Sequence, residues 1–338
     1  MKLPTISVVT ATYNSGRTLE ECLKHVRTQN YPQNKIEIIL GDGGSSDDTL
    51  EVAKKYKAKV FKIPENKQNA EYNRGVAFNK TKNELVLILD HDNYMPTKNF
   101  LREYVEPFLK HKDLMAVESC WYHYDPKMSL MDRYFALFGA LDPVPYYFGK
   151  ADRLMWTQKK WNGLGKSRDM GKYFLVEFES SPRKIPTVGT NGCMMRRNIV
   201  FENAKISPSN HYPIDVMTDV IMRGFNKFAF VKNSLIHATG ARGLAFFLKR
   251  RLKFMREYHF EDLSRRRYSV YMPGDFWKLA KFIFMSITFV KPTLDSLKGF
   301  IKLHDIAWFI HPVMCFGVTL MYGYGTVLSL IKKYKHMI

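Results

Sequence analysis

Four short runs of β-branched and apolar residues punctuate the first ninety positions: TISVVT (5–10), IEIIL (36–40), AKVFKI (58–63) and ELVLIL (84–89). Between the first two, Leu19, Cys22, Leu23 and Val26 recur at helical spacing, and a second helical stretch, 47–57, separates the next pair. Strands alternating with helices predict a doubly wound α/β fold whose mostly parallel sheet is buried on both faces. Ligands of such sheets bind beyond the carboxyl ends of the strands. The segments TATYNSG, GDGGSSDD and DHDN fall at those ends. No internal repeat or low-complexity tract interrupts the pattern.

The last of these segments closes the apolar run LVLIL on two carboxylates, Asp90 and Asp92. Two such groups repel each other and lose solvation unless a cation sits between them or water reaches them. Asp-x-Asp side chains leaving a strand can share a hard cation such as Mg²⁺ or Mn²⁺, which takes carboxylate and phosphate oxygens together. A solvated turn with capping aspartates is the alternative. In GDGGSSDDT (41–49), Asp47 or Ser46 is placed to cap the following helix, and Asp42 is left to accept hydrogen bonds from a base or ribose.

Composition narrows the partners. A 338-residue chain that is 46% apolar and 14% aromatic has ample material for a core, and its net charge of +20 attracts polyanions or anionic lipid headgroups. Nucleic-acid binding would explain the charge but not the carboxylates, so no nucleic-acid partner is expected. Cys22, Cys120, Cys193 and Cys315 are far apart, without CxxC or zinc-ligand spacing, and read as reduced thiols of a cytosolic compartment. The N-terminus enters TISVVTATYN almost directly, without a signal-peptide pattern.

SVVTATYNSGRTLEECL, then QNYPQNKIEIILGDGGSSDDT, then LVLILDHDN together resemble the nucleotide-sugar-binding half of family 2 glycosyltransferases, inverting enzymes of the GT-A fold, over roughly residues 4–240. The resemblance implies that Thr10, Thr12 and Tyr13 line the nucleotide pocket and that Asp42 contacts the base. It further implies that Asp90 faces the ribose or metal and that Asp92 binds a metal bridging the diphosphate. TVGTNGCMMRR (187–197) resembles the family's G-T-N-G turn beside the acceptor. Departures are Ala11 where a proline is common, Gly41-Asp42-Gly43 where Asp-Asp-Gly is frequent, and EYNRG (71–75) for A-R-N-x-G. In the last, Tyr72 stands at the arginine position and Arg74 is displaced by two, so no phosphate role carries over to Arg74.

The family's general base precedes a G-[YF]-x-x-[FY] segment, here GFNKF (224–228), and two acids qualify, Asp215 and Asp219. Asp215 is preferred because it starts a helix, where a side chain can project into a cleft; Asp219 lies a turn deeper and could support the fold or the base. The family's glutamate before the aspartate is replaced by Ile214. His237, ending FAFVKNSLI, has a structural reading as a lone histidine, but its place after the acid resembles the histidine that completes metal or diphosphate binding.

The expected organisation is a catalytic domain, 1–240, with an aromatic acceptor-side insertion at 121–187, followed by membrane-associated helices at 241–338. Segment 241–267 carries nine Lys/Arg against three acids, with Leu244, Phe247, Leu248, Leu252 and Met255 on an apolar side that suits an anionic bilayer surface. Residues 276–290 are apolar but short, and 306–331 form a 26-residue run without formal charge, long enough to span a bilayer. Pro312 and the nearby glycines could break that run into a re-entrant hairpin. Positive charge on both sides favours the cytoplasmic face, with monotopic anchoring or a pair of helices.

The resulting expectation is a transferase using a divalent metal and a nucleotide-diphosphate sugar on a lipid-linked or cell-envelope glycan acceptor. The alternatives are a nucleotidyltransferase of similar sheet, which should show a basic glycine-rich loop that TATYNSG lacks, and a non-catalytic membrane scaffold.

Overall fold

The computed structural model describes residues 2–240, 243–255 and 265–335. Among these, ten strands join in one sheet: β1 (Ile6–Thr12), β2 (Ile36–Asp42), β3 (Lys59–Lys62), β4 (Leu85–Ile88), β5 (Asn93–Tyr94), β6 (Ala116–Tyr122), β7 (Lys166–Asp169), β8 (Tyr173–Glu177), β9 (Cys193–Arg196) and β10 (Lys227–His237). Their order is β3-β2-β1-β4-β9-β6-β10-β8-β7, with β5 paired to β10. The first four strands are mutually parallel, as are β6 and β10. Against that common direction run only β9, β8 and the short β5. The doubly wound, mostly parallel sheet expected from the alternation of elements is therefore present.

Both faces of the parallel half are covered, which explains why its strands are apolar at successive positions. On one face Ile6, Val8, Ile38 and Leu87 meet Leu19, Leu23 and Val26 of helix Gly16–Arg27 and Phe100 and Tyr104 of helix Phe100–Lys110. The residues between them, Val9, Ile39, Val86 and Ile88, are equally buried on the other face. Helix Ala70–Asn79 packs against β1 and β2. At Gly41 a Cβ would stand 2.0 Å from the carbonyl oxygen of Asn73, so the helix backbone rests directly on β2. This close approach accounts for glycine before Asp42, where the resemblance leads one to expect an acid.

The chain divides into two compact units, residues 1–123 with 161–238 and residues 124–160 with 239–338. The sheet belongs to the first. The anticipated insertion at 121–187 is thereby split, since 124–160 packs with the C-terminal helices and the chain from Trp161 onward rejoins the sheet.

Within the second unit, two expectations need correction. Of the basic stretch 241–267, positions 241–242 and 256–264 lie outside the described residues; the remainder includes helix Leu244–Met255. The apolar side of that helix does not face lipid: Phe247 is buried with Phe135, Trp308 and Val318, and Leu244 and Leu248 pack against the same cluster. Arg251 turns inward too, donating to Asp142 Oδ2 at 2.6 Å. Nor does 306–331 fold back as a hairpin. Helix Ile310–Lys335 is continuous, because Pro312 falls in its first turn, where a missing N–H breaks no hydrogen bond. Cys22, Cys120, Cys193 and Cys315 are free and buried.

The seating of helix Ala70–Asn79 on β2 gives a direct test. Gly41→Ala forces a methyl into the Asn73 backbone and should lower unfolding stability by about 1–3 kcal/mol, the usual cost of overpacking. Urea denaturation checks this; an unchanged midpoint contradicts the close approach.

Candidate functional site

The carboxyl ends of β1, β2 and β4 adjoin, because β1 lies between the other two in register, with Thr12 opposite Asp42 and Val9 opposite Ile88. Hydrogen bonds then lock their loops together. Thr10 Oγ1 donates to the Leu89 carbonyl at 2.7 Å, and Thr12 Oγ1 donates to Asp42 Oδ1 at 2.9 Å. Asp42 also accepts from Ser45 Oγ at 2.6 Å, Ser45 N at 3.0 Å and Gly44 N at 3.1 Å. Asn14, at φ 47°, closes the rim by accepting from Ser46 N and donating its own N–H to Ser45 Oγ.

Three of the expected nucleotide-lining side chains thus serve the loops themselves. Thr10, Thr12 and Asp42 are buried, and Asp42, expected to accept from a base or ribose, holds four donors of its own loop and of β1, about as many as a carboxylate accommodates. Tyr13 is different. Its ring stands half exposed at the tip of β1, available to a ligand. The helix that follows β2, Thr49–Lys55, has Asp48 at its N-cap without a side-chain bond, and Asp47 just before it accepts from Thr49 N at 3.0 Å.

At the end of β4 the chain turns through Asp90-His91-Asp92, closed by Asn93 N donating to the Asp90 carbonyl at 2.9 Å. Asp90 does not stand beside a bare cation site. Its Oδ1 accepts from Arg74 Nη2 at 2.7 Å, and Arg74 also pairs with Glu71. Burial alone would lower the pKa of the Arg74 guanidinium; the Asp90 and Glu71 carboxylates reverse that and hold it above its ordinary value. Sequence spacing had set Arg74 aside. Its approach to Asp90 follows from the seating of helix Ala70–Asn79 on β1 and β2, and the arginine within the otherwise matching EYNRG segment was the available signal.

Asp92 takes the other side of the turn. β5 pairs antiparallel with the end of β10, setting Asn93 opposite His237, and Ala238 N donates to the Asp92 carbonyl at 2.8 Å. Asp92 Oδ2 and His237 Nε2 come to 3.5 Å, both partly open to solvent. The separation is long for a hydrogen bond but close to that of two adjacent ligands on one cation, about 3 Å for octahedral Mg²⁺. His237 Nδ1 is buried without a hydrogen-bond partner. Burial pushes the Cys22 thiol up, and Asp92 and Asp90 push it further, which marks a negative field at the turn. Among the described residues no three metal-binding side chains converge. A carboxylate and an imidazole nonetheless fit a Mg²⁺- or Mn²⁺-type ion that draws its remaining ligands from phosphate and water.

The G-T-N-G turn reaches the same place. Asn191 Nδ2 donates to Tyr122 Oη at 3.1 Å, and the Tyr122 and His237 rings lie 5.5 Å apart. Gly189, at φ 111°, has no room for a side chain, since a Cβ would meet the Pro213 carbonyl and Met217 of helix Pro213–Met222. That helix carries both candidate bases. Asp215 lies in its first turn and is fully buried rather than projecting into open space. Asp219 is half-buried and accepts from Lys205 N at 2.9 Å, a bond that ties the helix to the preceding segment. Tyr122 is a residue beside the candidate site that sequence reasoning did not assign, Asn191 was marked only as part of the G-T-N-G turn, and Arg74 was set aside.

Comparison with known proteins places the chain in a family. The sequence profile described as "Glycosyl transferase family 2" matches residues 7–200, from β1 through the G-T-N-G turn. "Glycosyltransferase GlyG" of Streptococcus pneumoniae serotype 4 is 34% identical over 124 residues, 36% of this chain and 40% of that protein. The "Poly(ribitol-phosphate) beta-N-acetylglucosaminyltransferase TarS" of Staphylococcus aureus (strain Mu50) is 32% identical over 93 residues, 26% of this chain and 16% of that protein. The chain therefore spans less than half the length of these relatives. The solved structure of the mannosyltransferase PcManGT from Pyrobaculum calidifontis, in complex with GDP-Man and Mn²⁺, aligns over 100% of this chain and 84% of its own, at 15% identity and a TM-score of 0.48. With more than half of its residues under the family profile, the chain belongs to glycosyl transferase family 2.

Proposed function

We propose that the chain is a metal-assisted, inverting glycosyltransferase that moves a sugar from a nucleotide-diphosphate donor to a lipid-linked or cell-envelope glycan acceptor at the cytoplasmic face of a membrane. The observation that carries the reading is the approach of Asp92 and His237 beside the loops that end β1, β2 and β4. Strand ends of this kind receive nucleotides.

Each residue then has a task. Tyr13 offers a ring to the base or ribose, while Thr10, Thr12 and Asp42 hold the loops in the shape that receives them. Arg74 fixes Asp90 toward the ribose. Asp92 and His237 would hold Mn²⁺ or Mg²⁺, whose chemistry is to neutralise the charge that builds on a departing diphosphate. Asp215 takes the proton from the acceptor hydroxyl as that oxygen attacks the anomeric carbon from the face opposite the nucleotide. A single displacement inverts that centre. Asp219 has a backbone partner and serves the helix.

Membrane association rests on the second unit. Ile306–Ile331 is 26 residues long with mean hydropathy 1.5, and 28% of its most apolar window is buried.

Purified protein with Mn²⁺, incubated with UDP-, GDP- and dTDP-sugars, should release nucleotide from one class of donor, faster with membrane lipid extract present. Release from none of them contradicts the reading. Asp92→Ala should abolish transfer with the unfolding midpoint unchanged, because the carboxylate serves the cation and not the core; full activity at saturating metal removes that assignment. Asp215→Asn should lower kcat by roughly 10²–10⁴-fold with donor affinity nearly unchanged, the usual worth of general-base catalysis. Asp219→Asn should instead cost stability, about 1 kcal/mol, with a smaller loss of kcat. Reversed ranking in steady-state kinetics transfers the base to Asp219.

A further inference from the structure

The helices Phe276–Thr288 and Val290–Lys302 are amphipathic in the wrong sense for water. In the first, Phe276, Ile283, Phe284 and Ile287 are exposed along one face, and Phe284 is 69% exposed. In the second, Val290, Leu294, Leu297 and Ile301 recur every three or four residues on one exposed face, with Ile301 at 72%. The side turned toward the protein carries Pro292, Ser296 and Gly299 instead. Ser296 Oγ donates to the Trp308 carbonyl at 2.8 Å, and a Cβ on Gly299 would strike the Trp308 ring at 2.5 Å. Small residues are therefore required inside, and the large apolar ones are left facing out. The first helix differs inside, where Phe282 and Met285 are buried, but both helices leave large apolar residues exposed at helical spacing. A chance excess of surface leucine would not repeat at helical spacing on both.

We infer that this helix pair is a monotopic membrane-insertion surface that lies in the plane of an anionic bilayer. The inference rests on the membrane reading above and names the elements that carry it. Length fixes the orientation: thirteen residues make about 20 Å of helix, short of the roughly 30 Å hydrocarbon core. Charge fixes the partner. Lys291, Lys298 and Lys302 flank one edge of the second apolar row, and Lys278 and Lys281 flank the first, all exposed. Asp295, the acid beside them, is half-buried and already paired with Lys291. Cationic edges beside an apolar face match the headgroup and acyl layers of anionic lipid. A second copy of the chain would bring like-charged rows together on the same face, which opposes self-association. Trp277, 79% exposed at the start of the first helix, sits where an indole meets the interface.

The test uses the full chain and flotation with vesicles of phosphatidylglycerol and phosphatidylcholine, or phosphatidylcholine alone. Wild type should float with the anionic vesicles, and brominated lipid should quench its fluorescence by an amount that Trp277→Phe largely removes. Phe284→Glu with Ile301→Glu should reduce partition at least tenfold while nucleotide-diphosphate binding, measured by calorimetry, stays unchanged. Lys298→Glu with Lys302→Glu should reduce the preference for anionic vesicles by a similar factor. If circular dichroism shows the glutamate pair unfolded, Ile287→Ser with Leu294→Ser replaces it, with the same loss expected.

Flotation of the Phe284/Ile301 variant like wild type, or absence of Trp277 quenching in the bound protein, overturns the inference. If Val327→Glu with Leu330→Glu then abolishes flotation, the membrane reading survives with helix Ile310–Lys335 carrying it. Failure of wild type to bind either vesicle defeats both. A vesicle-free dimer in sedimentation that Phe284→Glu with Ile301→Glu dissolves also overturns the inference, in favour of a second copy on this face.

Discussion

The two-residue ladder between β5 and β10 is the constraint on which the site depends. It sets Asn93 opposite His237, and with Ala238 N on the Asp92 carbonyl it joins two segments separated by more than 140 positions. Without it the carboxylates after β4 would end a strand in mutual repulsion. With it, Asp92 faces the His237 imidazole, while Asp90, on the other side of the turn, is paired with the Arg74 guanidinium.

The second dependency is the close seating of helix Ala70–Asn79. Because Gly41 has no side chain, the helix backbone touches β2, and its Arg74 comes within hydrogen-bond distance of Asp90. A longer residue at 41 would lift the helix and withdraw the guanidinium, leaving a carboxylate without its counter-charge. Core packing and site electrostatics are the same contact here. The loop after β2 shows a similar economy, since Asp42 orders the loop with four hydrogen bonds while belonging to the strand end where ligands bind.

In the second unit, the distribution of apolar residues has two solutions. Helix Leu244–Met255 turns its apolar side inward onto Phe135 and Trp308, and even its Arg251 finds a buried carboxylate. Helix Val290–Lys302 does the opposite, with Ser296 and Gly299 inside and its large apolar residues exposed, and helix Phe276–Thr288 exposes a second apolar row although it also buries Phe282 and Met285. Basic and apolar positions at helical spacing occur in both segments. Only the partner face distinguishes a helix whose apolar side is covered from one whose apolar side is exposed.

The sequence by itself determined the parallel half of the sheet and the position of its carboxyl ends, because strands buried on both faces are apolar at successive residues and the loops between them carry their own turn chemistry. It also determined that Asp42, Asp90 and Asp92 occupy those ends, since each lies at a strand's last residue or within four residues of it. What tertiary structure decided was which groups face one another. Spacing along the chain placed Arg74 two residues from a useful position, yet packing brought it to Asp90. Helical periodicity could not separate Asp215 from Asp219, four apart on one face, whereas burial and the Lys205 amide treat them differently. Periodicity likewise identified an apolar side on 244–255 without revealing what would cover it. Local pattern encodes the shape of an element, but the partner of a charge or of an apolar face is chosen by contacts between residues remote in sequence, which no local pattern carries.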